Sequence, residues 1–150
     1  MNPGDQLIEA IQSCGHKARL VVAGGGSGAV HALLSHPGAS RFVVDVRIPY
    51  SPESLAEFLG ETPESACSEE TARRMAAKAL DGATLGVACT AALQTNRERR
   101  GADRAHVCFL TADAAFAQSL EIPTGSRREQ EAVLSGKLLR LLADFVETEK

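Results

Sequence analysis

Residues 20–28 read LVVAGGGSG: an apolar run, Leu20 to Ala23, breaks into the glycine turn Gly24 to Gly28 and passes straight into a helical pattern. Strand, glycine turn and helix start, in that order, mark a ligand-binding place in an α/β fold. Glycines accept φ > 0 and expose N–H groups to a bound molecule, while the helix N-terminus behind them favours an anion. The turn lacks the lysine of a P-loop and meets the dinucleotide fingerprint only in the relaxed form Gly24, Gly26, Ala29. The acidic residue that this fingerprint places about 20 positions on would be Asp45, which falls inside the next strand pattern. A strand-to-helix connection with no ligand would use the same glycines.

Outward from this turn the chain alternates helix and strand. Asp5 is read as the cap of a first helix carrying Leu7, Ile8, Ile11 and Cys14 on one face and ended by Gly15, with Ala18 to Ala23 as a buried strand. The helix after the turn carries Val30, Leu33 and Leu34 and is stopped by Pro37 and Gly38, and Arg41 to Ile48 reads as a β-branched strand. Ser51 before Pro52 predicts an N-cap with proline at the first helical position, opening a short helix that runs to Gly60. Ser68 caps the next helix, with Ala72, Met75, Ala76, Ala79 and Leu80 as its stripe. Thr84 to Thr90 and Arg104 to Leu110 read as strands, and Ala115 to Ile122 as a third that forms a hairpin with the second. A final helix opened by Gly125 and Ser126 repeats Leu134, Leu138, Leu141 and Phe145 along one face. Helices before, between and after strands predict a three-layer α/β/α sandwich, one domain spanning 1–150.

Composition narrows the function classes. A net charge of -3 argues against a general nucleic-acid binder, and 4% aromatic content without tryptophan gives no stacking platform for single strands. The polar start MNPGDQLIEA and the lack of a long apolar run predict a cytoplasmic protein with no membrane association. Cys14, Cys67, Cys89 and Cys108 have no CxxC or CxxH spacing, so neither a metal site nor a disulfide framework is expected, and no cofactor. Cys89 closes an apolar run and reads first as a small core residue, since its neighbours Ala88 and Thr90 offer no base. His16, His31, His36 and His106 have no partner at catalytic or ligand spacing; His31 is the one nearest the glycine turn.

The segment TNRERRGADR, 95–104, is a local basic patch on this acidic chain. Guanidinium groups bind phosphate or carboxylate through paired hydrogen bonds, so Arg97, Arg100 and Arg104 are candidate anion ligands, with Thr90, Thr95 and Asn96 as neutral donors. An exposed loop with internal ion pairs is the competing reading.

With these elements in place, the chain resembles the CinA C-terminal domain family, whose active members are nicotinamide-nucleotide amidases. Where that family reads ESCTGG, PGSS, VxYSNxxK with a following LG, VSE and TGIAGP, this chain has VAGGGS at 22–27, PGAS at 37–40, PYSPESL at 49–55 with Leu59 and Gly60, CSE at 67–69 and CTAALQ at 89–94. The resemblance runs from Leu7 to Val146, without a gap from the first helix to Gly60. It implies an amidase built on a serine nucleophile and a lysine base, but those positions hold Ala23 and Leu55. Neither side chain can attack a carbonyl or move a proton. The glutamate before the serine is Val22, and the TGIAGP glycines and proline are Ala91, Gln94 and Thr95. Retained are Gly26, Tyr50, Ser51, Ser68 and Thr90.

Three readings follow. In the first, a CinA-like protein without amidase activity binds a phosphorylated small molecule, such as a pyridine nucleotide, through Gly24, Gly25, Gly26, Ser27, Tyr50, Ser51, Thr90 and the arginine loop. In the second, an amidohydrolase uses a displaced nucleophile, Ser27, Cys89 or Thr90. In the third, the domain is a structural or assembly module. The sequence leaves homo-oligomerisation open.

Overall fold

The computed structural model describes residues 2–96 and 101–148. In chain order the elements are α1 (Pro3–Gln12), β1 (Ala18–Ala23), α2 (Ser27–Ser35), a 3-10 turn (Ala39–Arg41), β2 (Val43–Arg47), α3 (Pro52–Leu59), α4 (Glu69–Leu80), β3 (Leu85–Ala92), β4 (Arg104–Leu110), β5 (Ala115–Glu121) and α5 (Arg127–Thr148). They form one five-stranded sheet in the order β2-β1-β3-β4-β5. Strands β2, β1 and β3 are parallel, and β4 and β5 extend the sheet antiparallel.

Strand β1 shows why the sheet is covered on both faces. Its side chains alternate in direction, yet every one from Leu20 to Ala23 is apolar, the pattern of a strand buried on two sides. Leu20 and Val22 enter a core with Ile11 of α1, Leu33 of α2 and Leu134, Leu138 and Leu142 of α5. Val21 and Ala23 enter a second core with Leu55 and Leu59 of α3 and Ala72, Met75 and Ala76 of α4. The small residues of α4 let it lie close on β3, where a Cβ at Gly86 would overlap the Ala76 carbonyl oxygen. The expected three layers are therefore present, with α1, α2 and α5 on one face and α3 and α4 on the other.

Local signals set most of the element ends. Ser51 Oγ accepts from the Ser54 N–H at 3.1 Å with Pro52 opening α3, and Gly60 closes that helix at φ 84°. Ser68 Oγ accepts from the Thr71 N–H at the start of α4. At α5, Ser126 and Glu129 cap reciprocally: the Glu129 N–H donates to Ser126 Oγ at 3.1 Å and the Ser126 N–H to Glu129 Oε1 at 2.9 Å. The Ser126 N–H, and after it the Ser126 side chain, hydrogen-bond to the Glu129 carboxyl and hold it below its ordinary value.

Some sequence expectations are corrected. The cap of α1 is Asn2, whose side chain accepts from the Asp5 N–H at 2.8 Å, and the helix ends at Gln12 rather than at Gly15. Leu34 is 51% exposed because the inward side of α2 is Ala29, Val30 and Leu33. The strand expected from Arg41 begins only at Val43, since Arg41 closes the 3-10 turn. On α5, Leu139 and Leu142 are buried where Leu141 is only partly so. No helix among the described residues is long and apolar enough to cross a membrane.

Asp5, freed from capping, serves another contact. His36, just after α2, has Nε2 2.7 Å from Asp5 Oδ1 and Nδ1 2.9 Å from the Ala32 carbonyl oxygen. Both ring nitrogens face acceptors, so the imidazolium is favoured, and the Asp5 hydrogen bond followed by that to Ala32 raises the His36 pKa above 6.5. A raised folded-state pKa gives stability that is fully present below 6.5 and lost as pH rises through the raised value. Urea denaturation should therefore show a His36-dependent loss of stability across that rise, and Asp5→Asn should flatten it.

Candidate functional site

The C-terminal ends of the parallel strands lie together, because Ala23 of β1 pairs with Thr90 of β3 and Val21 with Arg47 of β2. The glycine turn, the start of α3 and the segment after β3 thus meet at one end of the sheet, the usual ligand-binding end of an open α/β fold. The first turns of α5 pack against them.

Gly24 begins the turn at φ 79°, and a Cβ there would overlap the Ala91 carbonyl oxygen. Gly26 caps α2 at φ 105° with no side chain to satisfy the helix's first N–H groups. Those groups are satisfied from α5. Glu131 Oε1 accepts from the Gly26 N–H at 2.9 Å, Glu131 Oε2 from the Gly28 N–H at 3.1 Å, and Ser135 Oγ from the Ala29 N–H at 3.0 Å. The Ser135 hydroxyl in turn donates to Glu131 Oε2. A carboxylate of the protein itself occupies the place at the helix N-terminus where the sequence suggested a ligand anion.

Earlier on α5, Arg127 spans the mouth of the site. Its Nη2 donates to the Gly24 carbonyl at 2.9 Å and the Tyr50 hydroxyl oxygen at 3.1 Å, and its Nη1 to the Gln94 carbonyl at 3.0 Å. Gln130, buried, accepts from the Gln94 N–H at 2.7 Å and donates to Asp103 Oδ2 at 2.8 Å and the Pro123 carbonyl at 3.0 Å. One amide side chain thereby fixes both flanks of the arginine segment.

Two adjoining clefts share Gly24, Tyr50 and Arg127. The larger, about 530 Å³, is lined by Gly25, Ser27, Ile48, Arg128 and Glu131 as well. The smaller, about 260 Å³, is lined by Ala23, Ser51, Leu55, Ala66, Thr90 and Ala91 among others. Its floor is apolar: Ala23 is 6% and Leu55 2% exposed, both within the α3–α4 core.

The sequence-derived site residues divide accordingly. Gly24, Gly25, Ser27, Tyr50, Ser51 and Thr90 line the paired clefts, whereas the Gly26 amide is held by Glu131. Arg104 is a brace: Nη2 donates to the Cys67 carbonyl and Nη1 to the Ala102 carbonyl, both at 3.2 Å. Arg97 and Arg100 lie outside the described residues. Thr90 is buried and its hydroxyl donates to the Ala66 carbonyl at 2.6 Å. Cys89 is fully buried, and burial, with Glu131 and Cys67 nearby, pushes its thiol far up from 9.0. A thiol held neutral there is a poor nucleophile. Asp45 pairs with Arg19 and Arg47 in mid-strand, away from a ribose-binding position at the strand end.

Sequence reasoning misses Arg127, Arg128, Gln130, Glu131 and Ser135. A signal for three of them is present: continuing the apolar stripe of Leu134 and Leu138 toward the helix start places Gln130, Arg127 and Glu131 at helical spacing on the side that packs inward.

An α/β domain with paired clefts at its parallel strand ends is the class that these features define. The fold matches that of solved structures of CinA and competence/damage-inducible proteins. Competence or damage-inducible protein from Enterobacter asburiae is similar at a TM-score of 0.85, with 18% identity over 97% of this chain and 99% of that one. CihA, a competence/damage inducible protein from Agrobacterium tumefaciens, is similar at 0.80, with 19% identity over 93% and 90%. A CinA superfamily protein from Klebsiella pneumoniae gives 0.81, with 16% identity over 99% of both chains. In sequence, no family model and no curated protein matches this chain.

Two substitutions test the construction. Gly24→Ala should lower stability by about 2–3 kcal/mol, since it combines an overlap with a left-handed backbone. Glu131→Ala should cost about 1–2 kcal/mol, comparable to losing an N-cap, and should raise amide exchange at Gly26 and Gly28. Chemical denaturation and hydrogen exchange read these outcomes.

Proposed function

We propose that this CinA-like protein binds a phosphorylated small molecule, of the class of a pyridine nucleotide, without hydrolysing an amide. The observation that carries this reading is the contrast across the two adjoining clefts: apolar Ala23 and Leu55 floor the smaller one, where the resemblance would place serine and lysine, while Arg127, shared by both, and Arg128 line the larger. An acyl-transfer hydrolase needs a nucleophile with a base in reach. Thr90 spends its proton on a backbone carbonyl, Cys89 is sealed in the core, and Ser27 has no base bonded to it among the described residues. Anion affinity needs only positive charge and donors in a partly dry cleft.

Arg127 supports such affinity because its guanidinium is already fixed by three acceptors, so little further ordering is needed on binding. The ligand phosphate is assigned to the lip formed by Gly24, Gly25 and Ser27, facing Arg127 and the exposed Arg128, because Glu131 holds the neighbouring amide pair. Arg97 and Arg100, from the basic segment of the sequence, add charge to the same reading.

Titration calorimetry with nicotinamide mononucleotide tests it. Binding should weaken by about 1.5–3 kcal/mol in Arg127→Ala or Arg128→Ala, the worth of a hydrogen bond to a charged group. Removal of the ligand phosphate should weaken it similarly. Ammonia release should stay at background. Turnover abolished by Ser27→Ala would instead establish the displaced-nucleophile enzyme, and affinity indifferent to both arginines and to the phosphate would overturn the binding reading.

A further inference from the structure

Strand β2 ends the sheet, and among the described residues no strand pairs with its outer edge. Such an edge presents unpaired N–H and C=O groups and is a template for another strand. Of the five large apolar residues exposed among the described residues, Val44, Ile48 and Tyr50 lie on β2 or just beyond it, and Leu34 lies on α2, which packs beside β2. They are 46%, 52%, 67% and 51% exposed.

The sequence of this edge is self-complementary. Residues 44–48 read VDVRI. If two copies pair antiparallel about a two-fold axis at Val46, Asp45 of each stands opposite Arg47 of the other, and Val44 opposite Ile48. Opposite charges directly across an antiparallel pair are favourable, and like charges are not. The register within the sheet agrees: Arg47 pairs with Val21, facing the α3–α4 core, and Val46 with Leu20, facing the other. The Asp45–Arg47 cross-pairs would therefore lie on the face of the joined sheet opposite the central Val46 pair. In each chain Asp45 Oδ2 lies 2.9 Å from Arg47 Nε and 3.3 Å from Arg19 Nε, and Arg47 remains 60% exposed. A register shift between Ala18 and Arg19 leaves Val44 as the extra residue of β2, so the regular pairing is short and the apolar flanks must supply much of the burial.

We propose that the outer edge of β2 binds a second copy of this chain, forming an isologous dimer with a continuous sheet. Ile48 also lines the larger cleft, so the second copy adjoins the cleft wall.

Sedimentation velocity on four samples tests this. The unmodified chain should be dimeric. Arg47→Asp should be monomeric, because Asp45 of each copy then faces a second carboxylate across the strand pair, and Asp45→Arg should be monomeric by the same argument with the signs reversed. Mixed in equal amounts, these two variants should regain the dimer, since every cross-strand charge pair is again opposite. Circular dichroism checks that each is folded. Should Asp45→Arg fail to fold, Ile48→Glu replaces it as the second disrupting variant and must also abolish the dimer. A monomeric unmodified chain, a dimer that survives Arg47→Asp, or two folded charge variants whose mixture stays monomeric would each overturn the proposal.

Discussion

The contact on which the site depends is the Glu131 carboxylate seated on the Gly26 and Gly28 amides. A helix that starts on glycine has no side-chain cap, and its first N–H groups are costly to leave unpaired where the turn is partly buried. Glu131 answers that need with a charge of the sign that a helix N-terminus favours, and Ser135, one turn on, takes the Ala29 amide. These bonds fix the azimuth of α5 over the glycine turn. Once that is set, Arg127, one turn earlier, is delivered to the mouth of the cleft, and Gln130, the residue before Glu131, to the two flanks of the arginine segment. Slippage of α5 by one residue would remove all of them together.

The same contact bears on the function proposed for the cleft. A bare glycine turn invites a phosphate onto its amides; this one already carries a carboxylate, and for that reason the proposed phosphate site is the neighbouring lip beside Arg127 and Arg128. The apolar floor reinforces the division. Ala23 joins Val21 and Ala88 in the α3–α4 core, and Leu55 packs with Leu59 there, so the positions that the family resemblance gives to chemistry contribute burial instead.

Elements were legible in the sequence wherever their cause was local. Ser51 with Pro52, Ser68, the unbroken apolar run at Leu20 and the 104–110 strand all carry their signals within a few residues, and the structure agrees with them. Asp5 misled because Asn2, three residues earlier, is an equally good cap, and the partner that claims Asp5 is His36. The site was legible only by half. The glycine turn announces itself and Tyr50 enters through the family resemblance, but Glu131 lies 105 residues from Gly26 in the chain, and on a helix rich in charged residues it reads as solvent-facing until the fold brings the turn beneath it. Arg104 shows the converse: charge and a loop suggested a ligand, but that guanidinium braces the Cys67 and Ala102 carbonyls and lines neither of the two clefts.

A crystal structure of the chain with bound nicotinamide mononucleotide would test the central claim most directly, since it locates the phosphate relative to the two competing cradles. The account predicts the phosphate against Arg127 and Arg128 at the lip of Gly24, Gly25 and Ser27, with Glu131 still bonded to the Gly26 and Gly28 amides. A phosphate seated on those two amides with Glu131 displaced would contradict it.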